Sequence, residues 1–174
     1  MFLIKFILVL FLLSFPFANE NIIKIIATAN VKGEVDPCGW PKNPLGGLAR
    51  KATILDQISQ TYKNAFIVDA GNLFFKEEIL DPGITTEAAI LNAEIIIESL
   101  NKMGLTVFSP SSQDFAAGLD FLLSSEEKSD FPYISANIYD SNNELLFKPY
   151  IIEQKHGLNV AFIGLSSVFT TLED

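Results

Sequence analysis

Ala65-Phe66-Ile67-Val68-Asp69-Ala70-Gly71-Asn72 decides the reading of this chain. Residues 65–69 are an apolar run of strand length, and they end in a tight turn at Ala70-Gly71-Asn72. An apolar run bounded by turn residues predicts a strand buried on both faces, in a sheet covered by helices. The flanking segments agree. Residues 22–28 (IIKIIAT) form a β-branched run that reads as too apolar for an exposed edge. Leu48, Ala52, Leu55, Ile58 and Tyr62 recur at three- and four-residue spacing, which gives a helix one apolar face. Residues 85–103 predict a second amphipathic helix with Ala88, Leu91, Ile95 and Leu100 inward, Thr86 as N-cap and Gly104 just past its end. Residues 105–109 (LTVFS) predict a third strand. Strand, helix, strand, helix, strand predicts an α/β fold with a parallel sheet and right-handed crossovers. The working loops of such a sheet lie past the C-terminal ends of its strands. Here those loops are residues 30–45, 71–72 and 110–114. Further along, the pattern predicts a short helix near 119–123, a fourth strand at 133–137 and a hairpin of 145–153 with 159–165.

Length and composition bound the function. A chain of 174 residues has the size of one domain. With 49% hydrophobic and 19% charged residues it is too apolar to be disordered. Twelve basic against 21 acidic residues give −9, which argues against a nucleic-acid backbone as partner. A single Cys38 excludes an intramolecular disulfide framework. A single His156 cannot supply the several imidazoles that most multi-metal hydrolases use. Residues 1–18 carry one early cation, Lys5, an apolar run over 6–13 and a cleavage point after Ala18. They predict a signal segment and export to the periplasm or outside the cell, with an uncleaved membrane anchor as the alternative. Residues 22–174 then form one domain.

The motifs run in a fixed order: T-A-N-V-K-G-E, P-C-G, G-G-L-A-R, V-D-A-G-N, M-G-x(7)-S-Q-D-F, F-P-x-I-S-A-N and G-L-N-V-A-F-I-G-L-S. This order resembles the exported 5′-nucleotidase branch of the calcineurin-like metallophosphoesterases, over nearly all of residues 22–168. The resemblance implies an α/β/β/α sandwich whose N-terminal half carries a mostly parallel sheet. It also implies two divalent metals that activate water against a phosphate ester. Carried over residue by residue, the family's first metal Asp falls on Asn30 and its His on Lys32. The bridging Asp falls on Asn72. The Asn and His of the N-H-E motif fall on Ser112 and Gln113, with Asp114 in place of the Glu.

A divalent pair needs anionic oxygens and neutral imidazoles. An amide keeps the shape of a carboxylate and loses its charge. A lysine puts a cation where a cation binds, a repulsion of ~4 kcal/mol per unit charge at 4 Å with an effective dielectric of ~20. The resemblance with these departures implies a relic pocket at Asn30, Lys32, Asn72, Ser112, Gln113 and Asp114. No cofactor, no catalytic residue and negligible metal-dependent hydrolysis are expected. The implied role is a binding or accessory module for a small anion or nucleotide. Residual phosphoester hydrolysis is the enzyme alternative, and a redox role of Cys38 is the third.

Plainer readings stand beside these. Asn30 and Asn72 also suit ordinary turns, Lys32 a loop tip, and Cys38 a small loop position. Gly46, Gly47 and Arg50 are candidate anion contacts, with close loop packing as the alternative. A family sub-branch carries a second Cys or a selenocysteine where this chain has Trp40, so no dithiol is present. A sandwich of this kind uses ~100 further residues, so the chain reads as lacking the C-terminal part, with an open sheet edge for a protein partner.

Overall fold

The computed structural model describes residues 22–40, 42–80, 86–155 and 157–167. The predicted signal segment, Thr85 and His156 lie outside the described residues. The elements in chain order are β1 (Lys24–Thr28), β2 (Cys38–Trp40), β3 (Asn43–Leu45), α1 (Leu48–Thr61), β4 (Ala65–Asp69), α2 (Thr86–Met103), β5 (Val107–Phe108), α3 (Leu119–Glu127), β6 (Tyr150–Lys155) and β7 (Leu158–Ile163). A single 3-10 turn spans Ser112–Phe115.

The central sheet is parallel, in the order β1-β4-β5. Its register aligns Thr28 with Asp69 and Asp69 with Phe108, so three strand ends finish level with one another. β4 is the middle strand, with Phe66 fully buried and Ile67 nearly so. Leu48 and Leu55 of α1 join Ala93, Ile96, Ile97 and Leu100 of α2 in the core. Phe74, Phe108 and Tyr133 continue that core as an edge-to-face aromatic chain. Each fully buried side chain of this size contributes about 1.5–3 kcal/mol.

Six expectations are corrected. β1 is an edge strand among the described residues, and its burial alternates, with Ile25 54% exposed. It pairs with β4 alone, so only one of its sides carries a ladder. The inward face of α2 is Ala93, Ile96, Ile97 and Leu100, whereas Leu91 and Ile95 are exposed. Three consecutive isoleucines at 95–97 let the pattern be phased two ways, and sheet packing chose one. Thr86 is the first helical residue and not the cap. Gly104, by contrast, has φ 71° as a residue past a helix end should.

Residues 133–137 form no continuous strand. Tyr133 bridges to Phe108 and Ile134 to Lys148, and the next two backbone amides turn to Lys148 and Gly164. The segment divides its ladder between partners. The hairpin starts five residues later than predicted because Leu145 bridges back to Tyr139 and Leu146 to Ile138. Residues 38–45, predicted as loop, close into the small β2–β3 hairpin.

Candidate functional site

The site is built where β1, β4 and β5 end. The chain after β1 and the chain after β4 are laced by backbone bonds: Asn30 N–H to Gly71 C=O, Lys32 N–H to Asn72 C=O and Gly33 N–H to Leu73 C=O, at 2.9, 2.8 and 3.0 Å. Lacing two loops this closely requires left-handed backbone. Asn30, Lys32 and Asn72 all have φ between 52° and 57°. Asn tolerates that region; lysine does so at a cost. Gly71 has φ 100°, and a Cβ there would lie 2.6 Å from Ser111 Cβ. Only glycine lets the β4 turn approach the loop after β5.

Asp114 holds the assembly from inside. It is fully buried on the 3-10 turn, and its carboxylate accepts four backbone N–H groups. Leu73 and Phe74 donate to Oδ1 at 2.7 and 3.0 Å; Asn72 and Ser111 donate to Oδ2 at 2.8 and 2.9 Å. Burial pushes its pKa up to about 6, against the pull of those four donors. In front of it the Asn72 side-chain amide donates to Asn30 Oδ1 at 2.9 Å. Asn72 Oδ1 in turn accepts the Gln113 N–H at 3.3 Å. Gln113 Oε1 is buried without a partner.

The sequence-predicted positions therefore divide. Asn30, Asn72, Gln113 and Asp114 meet in one hydrogen-bonded cluster. Ser112 starts the same 3-10 turn, half-buried. Lys32 joins through its backbone, while its residue lines a separate cavity with Phe75, Lys76 and Asn92. Asn30 also lines a larger cavity with Gly46, Gly47 and Arg50. Cys38 is exposed and borders both cavities.

Sequence reasoning missed Thr28, Lys51 and Asp69. Asp69 is 2% exposed, and its carboxylate accepts the Thr28 hydroxyl at 2.6 Å and the Gly71 N–H at 3.0 Å. Burial raises its pKa, opposed by Thr28, Lys51 and Gly71. Its position as the last residue of the decisive strand was the available signal.

No family model matches the chain. A 5′-nucleotidase of Vibrio cholerae is 28% identical over 126 residues, covering 70% of this chain and 21% of the relative. Protein UshA of Yersinia enterocolitica is 30% identical over 122 residues, covering 70% and 22%. This chain is a homologue of the 5′-nucleotidases. Among solved structures, the calcineurin-like phosphoesterase YfkN of Bacillus subtilis superposes with a TM-score of 0.64 at 23% identity, over 82% of this chain and 47% of that one. The fold is therefore that of the calcineurin-like metallophosphoesterases, and the mixed α/β architecture with a parallel N-terminal sheet agrees with it. The chain spans about a fifth of the length of the curated relatives it matches.

These homologues correct one expectation. They are metallophosphoesterases, which use divalent metals, so the expectation of no cofactor does not stand. The donors read from the sequence are those of this chain alone, which spans a fifth of the relatives' length. The donors present do not fit a two-metal centre by themselves. Both oxygens of Asp114 are taken by backbone N–H groups, and the amides of Asn30 and Asn72 bond to each other. Among the described residues no three His, Cys, Asp or Glu side chains group closely enough to hold a metal.

Proposed function

We propose that this chain is an exported, nucleotidase-like module that binds a phosphate ester, such as a nucleotide, and does not hydrolyse it with its own residues. The observation that carries the reading is the hydrogen bond from the Asn72 side-chain amide to Asn30 Oδ1 at 2.9 Å, in front of a carboxylate that already accepts four backbone donors. A general base must reach the water it activates. Asp114 faces Asn72, Leu73, Phe74 and Ser111 N–H groups instead, and holds the loops. The amides of Asn30 and Asn72 offer polar contacts without net charge, which suits orientation of a neutral or anionic oxygen better than activation of one. Export rests on the n-region, apolar run and cleavage point of residues 1–18. No described helix is long and apolar enough to cross a membrane.

Calorimetry with AMP and inorganic phosphate, beside a p-nitrophenyl phosphate assay in manganese, tests the reading. Saturable binding without turnover is the expected result. Clear turnover in manganese that Asn72→Ala abolishes would overturn it. The homologues named 5′-nucleotidases favour the second reading, phosphoester hydrolysis, and that outcome would establish it.

A further inference from the structure

The cavity that Asn30 shares with Gly46, Gly47 and Arg50 has a volume of about 1080 Å³ and lies between β1 and α1. Ile26, Leu45 and Ile54 give it apolar wall. Lys51 lines it too, one residue past Arg50 in the first turns of α1. Its side chain is only 15% exposed. An ammonium carries three N–H donors. One is donated to Thr28 Oγ1 at 3.1 Å. The nearest carboxylate oxygen, Asp69 Oδ2, is 3.9 Å away, an ion-pair distance beyond hydrogen-bond reach. That oxygen already accepts the Thr28 hydroxyl, and Asp69 Oδ1 accepts the Gly71 N–H. Thr28 and Asp69 thus hold the ammonium of a cavity-lining residue and take up only one of its three N–H donors.

The other charges around the cavity balance without Lys51: Glu34 is paired with Lys76 at 3.0 Å, and Asp36 and Arg50, both exposed, carry opposite charges. Burial has stripped water from Lys51, which lowers its pKa although Asp69 pulls the other way. A desolvated ammonium with unspent donors favours an anionic oxygen as its next partner.

We propose that Lys51 is the anion-reading residue of this cavity, donating to a phosphate oxygen of the ester that the module binds. The inference rests on the phosphoester-binding reading and adds the residue that recognises the charge. It predicts that affinity tracks the phosphate group, with AMP and inorganic phosphate bound and adenosine bound far more weakly.

The test uses the whole chain. Lysines are reductively methylated with formaldehyde and dimethylamine–borane, with and without saturating phosphate, and modification is read peptide by peptide against chloride of equal ionic strength. Phosphate is expected to slow modification of Lys51 selectively, leaving Lys63 and Lys102 unchanged. By calorimetry, Lys51→Met should bind phosphate roughly tenfold more weakly or worse, the size expected for one charge-assisted hydrogen bond, and Lys51→Arg should restore most of it. Where Lys51→Met fails to fold, protection in the wild-type protein decides. Phosphate that binds by calorimetry yet leaves Lys51 unprotected overturns this inference alone. Absence of any phosphate or AMP binding overturns it together with the phosphoester reading.

Discussion

The strand-end cluster and the β6–β7 hairpin solve opposite problems. At the strand ends the carboxylates are paired inward: Asp114 accepts four N–H groups and Asp69 the Thr28 hydroxyl, while Asn72 donates to Asn30 at the surface of the cluster. The hairpin leaves apolar residues in water, with Ile152 59% and Ile163 69% exposed. It is tied to the central sheet by the Lys155 ammonium, which donates to the Ala65 carbonyl at 2.6 Å and sits 4.4 Å above the Phe66 ring, and by the Phe66–Phe162 edge contact. At Gly164, next to β7, a Cβ would overlap the Ile134 carbonyl. A site needs fixed geometry, so its loops are laced by buried polar bonds. The hairpin is positioned by a few tethers and keeps one open apolar side.

Breaking the laced region should cost most. Asp114→Ala leaves four backbone donors without their acceptor. A loss of about 4 kcal/mol is expected, from breaking a buried hydrogen-bond network. Urea unfolding measures it, and a loss under about 1 kcal/mol would show that water replaces the carboxylate.

The same carboxylate makes stability depend on pH. Its folded pKa, about 6, lies above the ordinary value of 3.8, so the folded state holds the proton more tightly. That contribution is fully present below pH 3.8 and is lost as pH rises through 6. Its size is about 3 kcal/mol, at 1.36 kcal/mol per pKa unit. Unfolding free energies between pH 4 and pH 7 should show the decline, and Asp114→Asn should flatten it. A stability that climbs over this window in the wild type and not in Asp114→Asn would reverse the assignment.

Gly71→Ala sharpens the comparison at one atom. Its φ of 100° and the 2.6 Å approach to Ser111 leave no room for a methyl group. A loss of about 2 kcal/mol is expected. A crystal structure of the variant should show the Asn72 turn displaced from Ser111.

The smallest effect belongs to the hairpin. Lys155→Met removes one hydrogen bond and one cation–π contact, about 1 kcal/mol. Hydrogen exchange should quicken in β6 and β7 while the amides of Leu73 and Phe74 keep their protection. Equal quickening at both places would mean that the two regions open as one.

Much of the fold was legible because it repeats locally. Helix α1 follows from Leu48, Leu55 and Ile58 on one stripe, and Gly104 marked the end of α2. The site was legible only as positions. Asn30, Asn72 and Asp114 were singled out through a family likeness, but nothing near Asp114 in the chain says that it holds Leu73 and Phe74. Those partners are 41 and 40 residues away. Lys51 looked like any helix lysine, because its burial depends on Thr28 and Asp69 from two neighbouring strands.

Taken alone, the amino-acid order determined the parallel α/β plan, since strand and helix periods and their punctuation are short-range and need only a few neighbouring residues. The tertiary structure decided which face of α2 goes inward, where β6 begins, and that Asp114 spends its charge on backbone donors. Those outcomes depend on residues tens of positions apart competing for the same partner, and that competition is settled only when the chain is packed.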